Sequence, residues 1–262
     1  MVKGCRMAGI FAESDLIGET YVKPIGQEWK KVGYAAIDGH AVFEGCILLG
    51  TVTEMKALVE EVRQNPGILT PGAQPLGAAI LGQQFRWKGR RVPYQIDPVL
   101  QDQQRVVDAI AHWHANTPFQ FVQREDDDDD YVNFRPGNYC LSMIGRRGGP
   151  QDVILGPSCS TGHCIHEIGH VAGLWHEQSR SDRDDFVEVM WDNLSQRQRI
   201  NFDKHVLDAV NLGPYDYDSI MHYPRDAFSI NQKDTIVPKK PHQCIGQRVG
   251  LSAGDIAAIN KL

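Results

Sequence analysis

Residues 166–176 read HEIGHVAGLWH, and no other stretch restricts the fold of this chain as tightly. On a helix, His166 and His170 stand four residues apart and project from one face, one turn from each other. Two imidazoles placed in this way can grip one zinc ion, each nitrogen about 2.0–2.1 Å from the metal. Glu167 follows the first histidine and falls beside the metal, where it can take a proton from an activated water. Gly173 predicts the end of the helix, because a residue without a side chain accepts the left-handed turn that redirects the chain. That turn returns His176 as a third ligand and leaves one coordination position open, which separates catalytic from structural zinc. A surface helix that merely carries histidines is the alternative, and the full HExxHxxGxxH spacing argues against it.

The spacing is that of the metzincins, which pair it with a downstream methionine turn. Residues 219–223 read SIMHY, so Met221 is expected beneath the metal as an apolar floor, with Tyr223 close by. After His176 the chain continues EQSRSDRD. The whole stretch 166–184 resembles the astacin family of zinc endopeptidases, whose signature runs on from the third histidine as HExxRxDRD. GAAILGQQFRWKGRRVPYQID (77–97) is similar to the start of the mature enzymes of that family, and YCLSMIGRRGGPQDVILGPSC (139–159) to the segment before their zinc helix. FSINQKDTIVP and GLSAGDIAAINKL match their C-terminal part, so the resemblance covers 78–262.

The resemblance implies an α+β fold of two subdomains. The first carries a twisted sheet, a backing helix and the zinc helix; the second is irregular and supplies the methionine turn; the active-site cleft lies between them. It implies one catalytic Zn²⁺ on His166, His170 and His176, and Glu167 as general base and then general acid. It gives Tyr223 as a movable zinc ligand that stabilises the oxyanion, and a disulfide between Cys140 and Cys159. It also pairs Glu177 with a new N-terminus at Ala78, formed when a leader is cut away. The family's other disulfide is missing: its first cysteine would fall near Thr117–Pro118, and the sequence reaches Leu262 without the second. That departure resembles bacterial-type members. The other three cysteines, Cys5, Cys164 and Cys244, have no pairing that the sequence decides, and Cys164 with Cys244 is one possibility.

Ahead of the body, residues 53–65 place Met55, Leu58, Val59 and Val62 at helical spacing, with Thr53 as N-cap. NPGILTPGAQPLG (65–77) then breaks regular structure with three prolines and three glycines. The division is therefore a leader, 1–77, and a catalytic domain, 78–262. Within the leader, VFEGCILLG (42–50) is an apolar, strand-like run. In astacin precursors a motif F-x-G-D lays its aspartate on the zinc; here the matching residues are Phe43-Glu44-Gly45-Cys46, and cysteine replaces aspartate. A thiolate binds zinc at about 2.3 Å and would close the site, making the leader an intramolecular inhibitor of a latent precursor. Cys46 as a packing residue, or bonded to Cys5, are the other readings.

In the body, 91–97 reads as a strand and 101–117 as a helix with Val106, Val107, Ile110 and Trp113 on one side. FQFV and YVNF flank five aspartates, 126–130, expected to be a solvated loop, with calcium binding as the sharper alternative. Net charge is −6, and no Lys/Arg stripe appears, which makes nucleic acid or an anionic membrane a poor candidate partner. No apolar stretch reaches the ~18 residues needed to span a bilayer. The N-terminus makes no convincing signal peptide, so secretion is expected with the signal trimmed. The partners are then protein or peptide substrates of a monomer. A catalytically silent binding protein on the same fold is the alternative function, and a purely structural zinc protein a third. Arg225, Lys239 and Arg248 are candidates for the basic residue that would select acidic substrates.

Overall fold

A computed structural model describes residues 11, 12, 14, 16–22, 30–65, 85–204 and 211–262. Residues 30–51 alternate β-branched, aromatic and small side chains, and they build most of a meander: β1 (Ile17–Val22), β2 (Lys30–Ile37), β3 (His40–Phe43) and β4 (Ile47–Thr51). Asp38 and Gly39 close the β2–β3 hairpin with φ of 49° and 81°, the left-handed pair that a two-residue loop requires. The run 42–50 is not one strand. Glu44 and Gly45, at φ 46° and 69°, turn the chain between β3 and β4 and put Cys46 at the end of the turn. Helix α1 (Val52–Gln64) follows, and its cap is Thr51 rather than Thr53. The Thr51 hydroxyl accepts from the Glu54 amide at 3.2 Å while Glu54 accepts from the Thr51 amide at 2.7 Å, a complete capping box. Met55, Leu58 and Val62 are its buried stripe.

The body adds β5 (Arg91–Ile96), α2 (Gln104–Asn116), β6 (Gln120–Gln123), β7 (Tyr131–Pro136), β8 (Cys140–Ser142) and β9 (Pro150–Leu155). All nine strands form one sheet in the order β1-β2-β3-β4-β8-β9-β7-β5-β6. Strand β5 is parallel to β6 and β7, and β7 to β9; β8 runs antiparallel to β9 and parallel to β4. Strands β1–β4 thus continue the sheet of β5–β9, at the pair Ile47 and Ser142.

Helix α2 buries Arg105, Val106, Ala109, Ile110 and Trp113, whereas Val107, expected inside, is 45% exposed. One residue along a helix is about 100° round its axis, so Val107 cannot share the face of Val106. Arg105 is buried because its guanidinium donates to the carbonyls of Gly156 and Cys159 at 2.8 and 2.5 Å. Helix α3 (Thr161–Ala172) packs against α2, and Trp113, Ile165 and Ile168 fill the core between them. Beyond α3 the chain is mostly irregular, with β10 (Val187–Val189) and β11 (Ile236–Pro238) paired antiparallel and a short α4 (Ala253–Ile259). A second core joins β3 and β4 to the later strands, with Val42, Phe43, Cys46, Ile47 and Leu49 against Leu141, Ile144 and Ile154. A third gathers Phe202, Tyr223, Phe228 and Ile236.

Cys140 and Cys159 form a disulfide. Cys164 is buried and free and Cys244 is disulfide-bonded, so the two do not pair with each other. Cys46 is likewise free. In the acidic run, Asp128 makes a bidentate ion pair with Arg91, and Asp130 binds Arg146 and the Gly149 amide. The boundary at 77 and Ala78 lie outside the described residues. No described helix is long and apolar enough to cross a membrane.

Candidate metal centre

Helix α3 starts at Ser160, whose hydroxyl accepts from the His163 amide. A β-carbon on Gly162 would lie 1.7 Å from the Arg248 carbonyl oxygen, so glycine lets the first turn rest directly on that backbone. The helix ends at Gly173 with φ 115°, and the Leu174 amide returns to the Gly169 carbonyl at 2.9 Å. This turn aims the Leu174 carbonyl at His170 and brings His176 back over the helix.

Each histidine commits its Nδ1. His166 donates to the Ile220 carbonyl and His170 to the Leu174 carbonyl, both at 2.8 Å, while His176 Nδ1 lies 2.7 Å from Glu44 Oε2. A carbonyl can only accept, so the first two rings carry their proton on Nδ1 and present the Nε2 lone pair inward. The three Nε2 atoms converge on Cys46 Sγ at 3.6, 3.4 and 3.2 Å for His166, His170 and His176. Together these four could hold one metal ion, with ligand atoms within 4.8 Å of one another. Zinc–nitrogen and zinc–sulfur bonds of about 2.05 and 2.3 Å in a tetrahedron give an N···S edge of about 3.5 Å, so the spacing fits zinc. The donor set, three neutral imidazoles and a thiol, fits it too. Burial holds His166 and His170 well below the ordinary imidazole range, which keeps them in the neutral, ligating form. Burial first, then Glu167 and Glu44, pushes the Cys46 thiol up, with Arg248 opposing. A coordinated cation inverts that balance and takes the proton off a thiol.

Glu167 is buried, and its carboxyl is pushed up to about 8 by burial, against a hydrogen bond from Ser142 Oγ and the charge of Arg248. The Ser142 hydroxyl donates to Glu167 Oε2 at 2.8 Å. Met221 is buried under α3 with its sulfur against Gly169. Tyr223 is buried, its ring centroid 4.7 Å from that of His176, and its hydroxyl donates to the Glu44 carbonyl at 2.6 Å. Glu177 accepts from the Asp216 amide at 2.7 Å and lines a cavity with Leu174, Met221, Asp255 and Ala258. Burial pushes its carboxyl up to about 8, Arg180 opposing.

Several residues that meet the site carry little local signal in the sequence. Glu44 is an acid inside an apolar run, and that incongruity is the one clue to it. Ser142 and Gln178, whose side-chain oxygen accepts from the Tyr223 amide at 3.1 Å, look like ordinary polar residues. Arg248, a candidate for substrate selection, is instead buried, and one of its nitrogens donates to the carbonyls of Ile220, His222 and Gln247. Arg225 is paired with Asp234, and the Lys239 ammonium donates to the Asp184 carbonyl.

A sheet-backed helix with three converging histidines and a methionine floor defines a zinc metallopeptidase domain of the metzincin kind. The family model "Astacin (Peptidase family M12A)" matches residues 80–262. The chain therefore belongs to the astacin family. It is 40% identical over 183 residues to zinc metalloproteinase nas-13 of Caenorhabditis elegans, covering 68% of this chain and 41% of that protein. It is 38% identical over 222 residues to zinc metalloproteinase nas-4 of the same organism, covering 82% of this chain and 69% of that one. Among solved structures it resembles high choriolytic enzyme 1, a hatching enzyme zinc-protease from Oryzias latipes. That match has a TM-score of 0.64 and 36% identity, and covers 70% of this chain and 97% of that one. The chain spans less than half the length of some of its relatives, such as nas-13.

Proposed function

We propose that this chain is the latent precursor of a secreted zinc endopeptidase, with residues 1–77 as inhibitory leader and 78–262 as catalytic domain. The observation that carries the reading is the convergence of three histidine Nε2 atoms on Cys46 Sγ, with the far side of each ring already hydrogen-bonded. Zinc bound there supplies a Lewis acid and lowers the pKa of a water toward about 7. Cys46 of the leader would hold the metal together with the three histidines and leave no room for that water. When the leader leaves, Glu167 is the base that accepts the proton of the attacking water and then passes it to the leaving amine. In the closed site burial pushes this carboxyl up to about 8; a cation bound beside it and departure of the leader would both bring it down toward the range of a working base. Tyr223, once free of the Glu44 carbonyl, donates its hydroxyl to the oxyanion. Substrate binds in a cleft between the sheet-bearing subdomain and the irregular C-terminal one.

A cut after Gly77 would give Ala78 a new ammonium group. Glu177 supports the pairing of the two, being a mostly buried carboxyl beside a cavity that burial pushes up to about 8 despite its 3.4 Å ion pair with Arg180. Secretion is supported by the Cys140–Cys159 disulfide and by bonded Cys244, since such bonds persist in oxidising compartments. The absent cysteine near Thr117–Pro118 supports the reading as a bacterial-type member. A silent binding protein is disfavoured by intact Glu167 and Tyr223, which such a protein would be free to lose.

The test is hydrolysis of a quenched peptide library by protein cut within 66–84 and freed of its leader. Activity should appear, and should vanish with a zinc chelator and in Glu167→Ala. Leader-free protein that stays inert, or activity that survives either removal, would sink the proposal.

A further inference from the structure

Glu44 is a buried side chain for which inhibition by Cys46 alone has no use. It lies in the β3–β4 turn with 0% exposure and φ 46°, a left-handed conformation that residues with a β-carbon seldom take. Burial of a carboxyl and a strained backbone at one position both cost stability, and they persist where the surroundings hold them for a reason. Here Oε2 meets His176 Nδ1 at 2.7 Å and Oε1 accepts from the Ser179 hydroxyl at 2.8 Å. The three histidines differ in this respect. His166 and His170 receive their Nδ1 partner from backbone carbonyls of the body, at Ile220 and Leu174. His176 receives its partner from the leader.

We propose that Glu44 is a positioning residue through which the leader aims His176 at zinc, so that the precursor takes up and keeps the metal more tightly than the mature enzyme. The proposal rests on the zinc site proposed above, but Glu44 acts from outside the ligand set. A carboxyl behind a ligating histidine fixes the ring orientation and makes its Nε2 a better donor, and losing such a partner typically costs 10–100-fold in metal affinity. Ser179 holds the second oxygen, which leaves the carboxyl one orientation. Departure of the leader then withdraws a ligand and the support of another in one event. Metal loading belongs to the precursor, before activation, and the released enzyme is the form that chelators strip fastest.

The experiment follows zinc transfer from the full, uncut precursor to a chromogenic chelator, for wild type, Glu44→Ala, Glu44→Gln and Cys46→Ser. The Tyr223 bond goes to the Glu44 backbone, so the side-chain variants leave it in place. Glu44→Ala should release zinc roughly 10–100 times faster. Glu44→Gln keeps the shape and one acceptor oxygen and should fall between it and wild type. The His176 Nδ1 proton resonance in the zinc-loaded protein should move in both, a change that loss of packing alone does not produce. Release at the wild-type rate from both Glu44 variants, with Cys46→Ser faster, overturns this proposal and leaves the thiol reading standing. Cys46→Ser at the wild-type rate overturns the thiol reading instead. If Glu44→Ala does not fold, Glu44→Gln with the resonance decides alone.

Discussion

Gly169 and Met221 are in contact: a β-carbon at Gly169 would lie 2.6 Å from the Met221 sulfur and 3.3 Å from its methyl carbon. Glycine between the two helical histidines is thus the condition for bringing the methionine turn up under α3. It costs helix stability, about 1 kcal/mol against alanine, which the close packing offsets. In Gly169→Ala the helix gains that amount, but the thioether must move, and overpacking of this kind costs about 1–3 kcal/mol. The expected net result is a loss of about 1 kcal/mol in urea unfolding, with weaker zinc retention. A variant more stable than wild type that also holds zinc as tightly would show that the contact carries no constraint.

Cys46→Ala should unlatch the uncut chain. The variant is expected to hydrolyse peptide without any cut, whereas wild-type precursor does not, and zinc absorption spectroscopy should lose its sulfur neighbour. An uncut Cys46→Ala protein as silent as wild type would mean that the rest of the leader, rather than the thiol, blocks the cleft.

The convergence of the three histidines was legible in the sequence because they are local. Helical spacing fixes His166 and His170 on one face, and Gly173 supplies the turn to His176, all within eleven residues. The approach of Cys46 to them was suggested only by a family motif, since it lies 120 residues from His166 in the chain. Glu44 was not legible, since its meeting with His176 spans 132 residues and needs a left-handed backbone that glutamate rarely adopts. The same turn is why 42–50 reads as one strand and folds as two. The burial of Arg248 was not legible for a related reason. A charged side chain reads as surface, and nothing local reveals that three backbone carbonyls await it in the interior.

Cutting the connection between leader and body should not by itself produce activity. Strand β4 continues the sheet of the body at Ser142, whose amide donates to the Cys46 carbonyl at 2.9 Å, and the two parts share a core. Phe43 also meets Trp175 edge-on, with centroids 6.4 Å apart. Protein nicked within 66–84 is expected to run as one species in native size exclusion with reductant present, so that no disulfide contributes. It should separate only in denaturant, and activity should follow degradation of the leader rather than the nick. Full activity appearing in step with the nick would contradict this.

His163 should give the fold an acid-sensitive contribution. Its Nδ1 lies 2.8 Å from Ser160 Oγ at the start of α3, and its Nε2 is buried without a hydrogen-bond partner. Burial, aided by the charge of Arg248, lowers its pKa from 6.5 to about 4. The folded value is the lower one, so between the two values the unfolded chain binds the proton and the folded chain does not. This contribution is fully present above about pH 6.5 and is lost as pH falls toward about 4. The shift sets a ceiling of about 3 kcal/mol, and partial solvent access brings the expected loss to about 1–2 kcal/mol. Asparagine at this position keeps an acceptor for the Ser160 amide but cannot titrate. Urea unfolding of zinc-free wild type and His163→Asn at about pH 7.5, 5.5 and 4.5 isolates the term, because the other histidines are common to both proteins. The wild type should lose more stability than the variant over that range, and parallel curves would show that His163 is solvated in the folded state.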